Sequence, residues 1–222
     1  FDNLISSGAI PDEVVGVLRE MVRARLAFLI VGGTGSGKTT LLNALVGEMN
    51  PAQRVLCVED ASELAPQHPQ VVRLVARAPN VEGVGEVPVR ALVRQALRMR
   101  PDRIIVGEVR GAEVIDLLTA LNTGHDGSAG TVHANSTAEV PARMEALAAL
   151  GGMNRDALHS QLAAALQVVL GVARTADGDR GLVEIGLVSR GDDGLVRVAP
   201  MWLRHSGFTS AKAVFDELVA TR

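Results

Sequence analysis

The chain has 222 residues, 47% hydrophobic and 21% charged, with a net charge of −3. That balance excludes disorder as the main state, and no apolar run approaches the ~20 residues of a membrane-spanning helix. The single cysteine, Cys57, excludes an intrachain disulfide framework and a four-cysteine zinc site, and the charge offers no global basic field for nucleic acid.

Val14, Val15, Leu18, Met21 and Val22 recur at helical spacing over 12–24, behind Pro11 and the acids Asp12 and Glu13. Leu26 to Val31 reads as a strand buried on both faces. A glycine-rich turn and an apolar helix from Lys38 to Val46 follow. Val55 to Val58 and Val71 to Val75 are the next expected strands, and 87–99 a helix. Arg103 to Val106 is a short strand, Gly111 to Leu121 a helix, and Thr131 to His133 ends a further strand. Helices are expected over 138–149 and 155–168. Strands alternating with helices predict a mostly parallel, doubly wound α/β sheet. Gly181 to Val188 and Leu195 to Trp202 then flank Arg190 to Gly194 as a β-hairpin, and Ala211 to Val219 form a short docking helix. The expected division is 1–24 (a linker and helix), 25–175 (the core) and 176–222 (hairpin and helix). A start at Phe1, with no signal peptide and no initiator Met, leads us to expect a piece of a longer protein.

Gly32, Gly33, Thr34, Gly35, Ser36, Gly37, Lys38 and Thr39 fit G-x-x-x-x-G-K-[ST], between a buried strand and a helix. The glycines let backbone N–H groups converge on phosphate oxygens, and the helix start adds its positive dipole end. Only two lysines occur, against 20 arginines, and one of them is Lys38, where it would reach the β and γ phosphates. MgATP is therefore expected on residues 32–40, Thr40 included, with the Thr39 hydroxyl on Mg²⁺.

An ATPase also needs carboxylates near the metal and the attacking water. Glu108 ends the strand Arg103 to Val106, after Gly107, and is the expected water-polarising base. Glu59 ends another strand and is expected at the metal–water shell, with Asp60 and Glu63 as further acids. His133, also at a strand end, is placed to sense the γ-phosphate, whereas His125 lies in a turn cluster. Arg90, Arg94 and Arg98 share one helix face, either as a solvated stripe or as contacts to phosphate, in cis or on a neighbouring subunit. Arg73, Arg77 and Arg110 are further candidates.

Four segments together resemble the type II/type IV secretion ATPase superfamily. Residues 32–45 resemble its Walker A segment, Val58 to Leu64 its Asp box, and Ala96 to Gly111 its atypical Walker B ending in Gly-Glu. Asn122 to Ser128 with Thr131 to Ser136 resemble its His box. The branch most resembled is the Tad/Flp-pilus assembly ATPases, with the conjugation-type secretion ATPases next. The resemblance implies a RecA-like P-loop domain, a homo-oligomeric, hexameric ring, and work on the cytoplasmic face of the inner membrane with platform proteins. It implies ATP hydrolysis driving pilus assembly or secretion through Glu59, Glu108 and His133, with Arg94 and Arg98 contacting phosphate or a neighbour. The family's separate N-terminal domain is absent beyond a stretch within 1–24, and so is the zinc element of the type II branches. No zinc and no nucleic acid are expected. The competing readings are a RecA-like nucleic-acid translocase, disfavoured by four Phe, one Trp and no Tyr for base stacking, and a nucleotide-binding scaffold without turnover.

Overall fold

A computed structural model describes residues 1–174 and 178–222. Strand β1 (Phe28–Val31) sits mid-sheet, every residue buried. It pairs in parallel with β5 (Ala129–Val132) on one side and β6 (Val168–Arg174) on the other. Beyond β5 lie β4 (Arg103–Val109), β2 (Val55–Glu59) and β3 (Val71–Val75), all parallel. Beyond β6 the sheet continues antiparallel through β7 (Arg180–Arg190), β8 (Val196–Leu203) and β9 (Gly207–Phe208). The nine strands thus make one sheet in the order β3-β2-β4-β5-β1-β6-β7-β8-β9.

Helices cover both faces, which is why the parallel strands read as unbroken apolar runs. Phe28 and Ile30 of β1 point into one core, with α2 (Asp12–Arg23), α3 (Lys38–Gly47) and α8 (Ala211–Ala220). Leu29 and Val31 point into the other, with α4 (Val89–Ala96), α5 (Glu113–Leu121), α6 (Val140–Leu150) and α7 (Arg155–Ala165). The alternation follows from the two-residue period of a strand. A short α1 (Asp2–Ser6) precedes these.

The doubly wound fold is as expected, with one correction. The helix expected over 155–168 stops at Ala165, and Val168 opens β6. The β-branched pair Val168 and Val169 begins an apolar run buried on both faces, the same pattern as β1. The expected boundary at 175/176 lies outside the described residues. On either side of it the hairpin extends the same sheet, and Trp202 of β8 donates from Nε1 to Glu13 Oε1 on α2 at 2.6 Å. No helix among the described residues is long and apolar enough to cross a membrane.

Candidate nucleotide-binding and catalytic site

All six parallel strands run the same way, so their carboxyl ends share one edge. At that edge of the central strand the chain turns through residues 32–37 into α3. Gly37 caps α3 at φ 101°, a left-handed conformation that favours glycine. A cavity of about 340 Å³ opens above the turn, lined among others by Gly35, Lys38, Thr39, Glu63, Glu108 and His133.

Lys38 is only 8% exposed. Its Nζ donates to Gly32 O at 3.0 Å and Gly33 O at 2.9 Å, folding the side chain back over the loop, and lies 3.5 Å from His133 Nδ1. Burial lowers the lysine's pKa below its ordinary 10.5, and the nearby Glu108 carboxylate opposes that shift. Ser36 Oγ is buried with no hydrogen-bond partner among the described residues. A buried hydroxyl without a partner, a cation and a helix start, all at one glycine turn, fit a phosphate chain.

Glu108 stands near the end of β4, after Gly107. A Cβ on Gly107 would come within 3.0 Å of Glu59 Cβ, so a side chain there would need its neighbour to give way by a few tenths of an ångström. Glu108 Oε1 lies 2.5 Å from His133 Nε2, and its other oxygen pairs with Arg110. Arg110 also reaches Asp60 at 2.8 Å. The Glu108 hydrogen bond raises the Arg110 pKa above its ordinary value.

Glu59 is turned toward its own loop. It is 2% exposed, and its Oε2 accepts from the backbone N–H groups of Glu63 and Leu64 at 2.9 and 2.8 Å. It lines the cavity but holds the following loop in place, and Glu63 is the acid presented to the loop, with Oε2 3.5 Å from Thr39 Oγ1. For Mg²⁺ the residues that fit are Thr39 and Glu63. Among the described residues no group of three or more His, Cys, Asp or Glu could hold a metal ion.

Arg94 and Arg98 are not brought to this cavity. Arg94 Nε and Arg90 Nε each donate to Asp116 of α5 at 2.6 Å, which ties α4 to α5, and Arg98 is exposed. The two histidines of the His-box segment separate as well. His133 follows β5 at the phosphate edge, while His125 precedes β5 at the opposite edge, its Nδ1 3.1 Å from Ala120 O. One residue the sequence reasoning missed is Arg180, which also lines the cavity. It lies 143 positions beyond Gly37 with no motif around it, so only the neighbouring β6 and β7 reveal it.

A parallel sheet carrying this loop at the end of its central strand is a RecA-like P-loop domain. The family model described as "Type II/IV secretion system protein" matches residues 1–180, and the chain belongs to that family. A "Putative conjugal transfer protein" of Mycobacterium tuberculosis is 60% identical over 219 residues, 99% of this chain and 62% of that protein. The conjugal transfer protein TrbB of Rhizobium radiobacter is 32% identical over 182 residues, 81% of this chain and 54% of that protein. The VirB11 ATPase of the Brucella suis type IV secretion system, solved with sulphate, superposes with a TM-score of 0.70 at 30% identity. The match covers 83% of this chain and 54% of that one. The pilus retraction motor PilT shares the fold, with a TM-score of 0.61 at 24% identity, over 94% of this chain and 54% of that one. The chain thus spans between about half and three-fifths of the length of these relatives.

Proposed function

We propose that this chain is the ATP-hydrolysing domain of a motor subunit that drives conjugation-type (type IV) secretion. The observation that carries the reading is the linked set Lys38, His133 and Glu108 above a P-loop. The loop N–H groups and Lys38 bind the phosphates, and the Thr39 hydroxyl with Glu63 holds the metal side. When bound, Mg²⁺ neutralises phosphate charge and fixes the oxygens for in-line attack. Glu108 takes the proton of the attacking water once the Arg110 pairing opens one carboxylate oxygen. His133, with Nε2 2.5 Å from Glu108 Oε1, packs against that carboxylate and positions it.

The relatives' descriptions favour conjugation and type IV secretion. Tad/Flp-type pilus assembly is the second reading, the branch of the family that the sequence as a whole resembles. In either case the working unit is a homo-oligomeric ring, hexameric in this reading, at the cytoplasmic face of the inner membrane against platform proteins. Arg98, exposed on the face next to α4, is free to act on a neighbour. The test is complementation of a deletion strain with wild-type or Glu108→Gln protein, scoring conjugal transfer and surface pili separately. Restoration of transfer by wild type alone supports the first reading. Restoration of pili alone supports the second, and full rescue by Glu108→Gln overturns both.

A further inference from the structure

A second cavity, of about 620 Å³, lies between the start of the phosphate loop and α6. His133 is the residue it shares with the nucleotide cavity. Gly32 and Gly33 line it on the loop side, and Ala142, Arg143 and Ala146 on the helix. These walls are small and open. A Cβ on Gly33 would meet nothing within 4 Å, and Ala142 and Ala146 are exposed.

Arg143 brings an unanswered charge to this space. Its Nε is buried without a hydrogen-bond partner, and no ion pair holds the guanidinium among the described residues. The carboxylate that helical spacing places to pair with it is Glu139, four positions earlier. Glu139 turns the other way. Its Oε2 accepts from Asn135 N at 3.2 Å and from Asn135 Nδ2 at 3.0 Å. Arg110, the arginine beside Glu108, is by contrast paired with both Glu108 and Asp60. A guanidinium N–H taken out of water with no acceptor costs free energy. The geometry therefore calls for an acceptor that the described residues do not supply.

We propose that the inorganic phosphate cleaved from ATP passes His133 into this cavity, is held there by Arg143, and leaves along α6. The proposal rests on the ATP-hydrolysis reading above and concerns the fate of the product. Phosphate is the anion this site meets first, because it is freed beside Lys38 and His133, and His133 is common to the two cavities. A forked guanidinium matches its oxygens, two N–H groups to two acceptors. The small side chains of the walls leave room for a hydrated ion. Glu139 keeps the hold weak, since its carboxylate lies near and opposes a second negative charge. A weak hold suits a product, which must pass through rather than stay. Phosphate thereby departs while ADP still fills the loop, by an opening separate from the one that admits ATP.

The test is a single turnover of MgATP by the full-length protein. Acid quench follows cleavage, and a fluorescent phosphate-binding protein follows free phosphate. Arg143 is only partly buried and Ala142 is exposed, so variants at both should fold, and circular dichroism checks this. Arg143→Ala is expected to cleave ATP at the wild-type rate and to release phosphate about 10- to 100-fold more slowly, the factor that one hydrogen bond to a charged group carries. Arg143→Lys, which keeps the cation, is expected to restore most of the release rate. Ala142→Trp, which fills the cavity and leaves its charges alone, is expected to slow release and spare cleavage. Phosphate release that keeps pace with cleavage in either Arg143→Ala or Ala142→Trp would overturn the exit route and leave hydrolysis standing. Release by Arg143→Lys as slow as by Arg143→Ala would overturn the anion site. Subunit assembly lost in Arg143→Ala, read by mass, with release unchanged would assign the arginine to an acid on a neighbouring chain instead. Absence of cleavage by the wild type would overturn the hydrolysis reading itself.

Discussion

His133 Nε2 lies 2.5 Å from Glu108 Oε1, while the other nitrogen of the same ring lies 3.5 Å from Lys38 Nζ. One ring thus connects the acid of β4 to the cation of the phosphate loop. His133→Ala is expected to preserve ATP binding and to lower turnover by up to roughly 10²–10⁴, the range for an impaired general base, because Glu108 loses the ring that positions it. Phosphate release measured beside fluorescent-analogue binding checks this, and equal losses in both would make His133 a binding residue only.

The two glutamates of the Asp-box segment divide their work. Glu59 accepts two backbone N–H groups out of solvent, whereas Glu63 faces Thr39. Glu59→Gln is expected to destabilise the fold by about 1–3 kcal/mol, because a neutral amide oxygen accepts the two N–H bonds less strongly than an ionised one and an NH₂ replaces the buried oxygen 3.8 Å from Arg73 Nε. Glu63→Gln is expected to leave stability unchanged and to raise the Mg²⁺ concentration needed for half-maximal turnover. Thermal melts and metal titrations of both variants decide the matter, and the reverse pattern would restore Glu59 to the metal shell.

Burial of the Lys38 ammonium carries a stability cost with a definite pH sense. Its folded pKa lies below the ordinary 10.5, so the fold disfavours the charged form. The cost is present while lysine is charged in both states, and it disappears as pH rises from the lowered value through 10.5. Lys38→Met is therefore expected to abolish nucleotide binding while raising the melting temperature at pH 7, with that gain vanishing above pH 10.5. A melting temperature below wild type at pH 7 would show that the Gly32 and Gly33 contacts outweigh desolvation.

Far from the nucleotide, His159 Nδ1 accepts from Val196 N at 2.9 Å, and its Nε2 lies 2.8 Å from Glu145 Oε1, clasping α7 to α6 and β8. The His159 hydrogen bond, with help from Arg155, lowers the Glu145 pKa below 4.5. Such a group adds stability above pH 4.5 and loses it as pH falls through the lowered value. The stability gap between wild type and Glu145→Gln, followed by denaturant unfolding, is expected to be full at pH 7 and to close below pH 4.5. A gap that persists at acid pH would assign the effect to packing.

The legible parts of this molecule are those where local chemistry and tertiary position coincide. β1 and α3 announce themselves because an unbroken apolar strand, a glycine turn and a rare lysine must adjoin to bind phosphate. Glu108 is legible for a related reason, since acids at the ends of parallel strands share an edge. What escaped depends on the direction a side chain takes after its backbone is placed. Nothing in Glu59-Asp60-Ala61-Ser62-Glu63 says that the first acid turns back to cap its own loop and the last turns to Thr39. Helical spacing likewise puts Arg94 and Arg98 on one face without revealing that Asp116 waits opposite Arg94. β6 escaped because Ala163 to Leu166 continue a helical pattern up to the residue where the strand begins.

The most direct test of the account is ATP turnover and binding measured together on wild-type and Glu108→Gln protein, full-length and in the presence of Mg²⁺. The account predicts undiminished ATP binding by the variant, with phosphate release lower by ~10²–10⁴-fold. Phosphate release by Glu108→Gln within about twofold of wild type would contradict it.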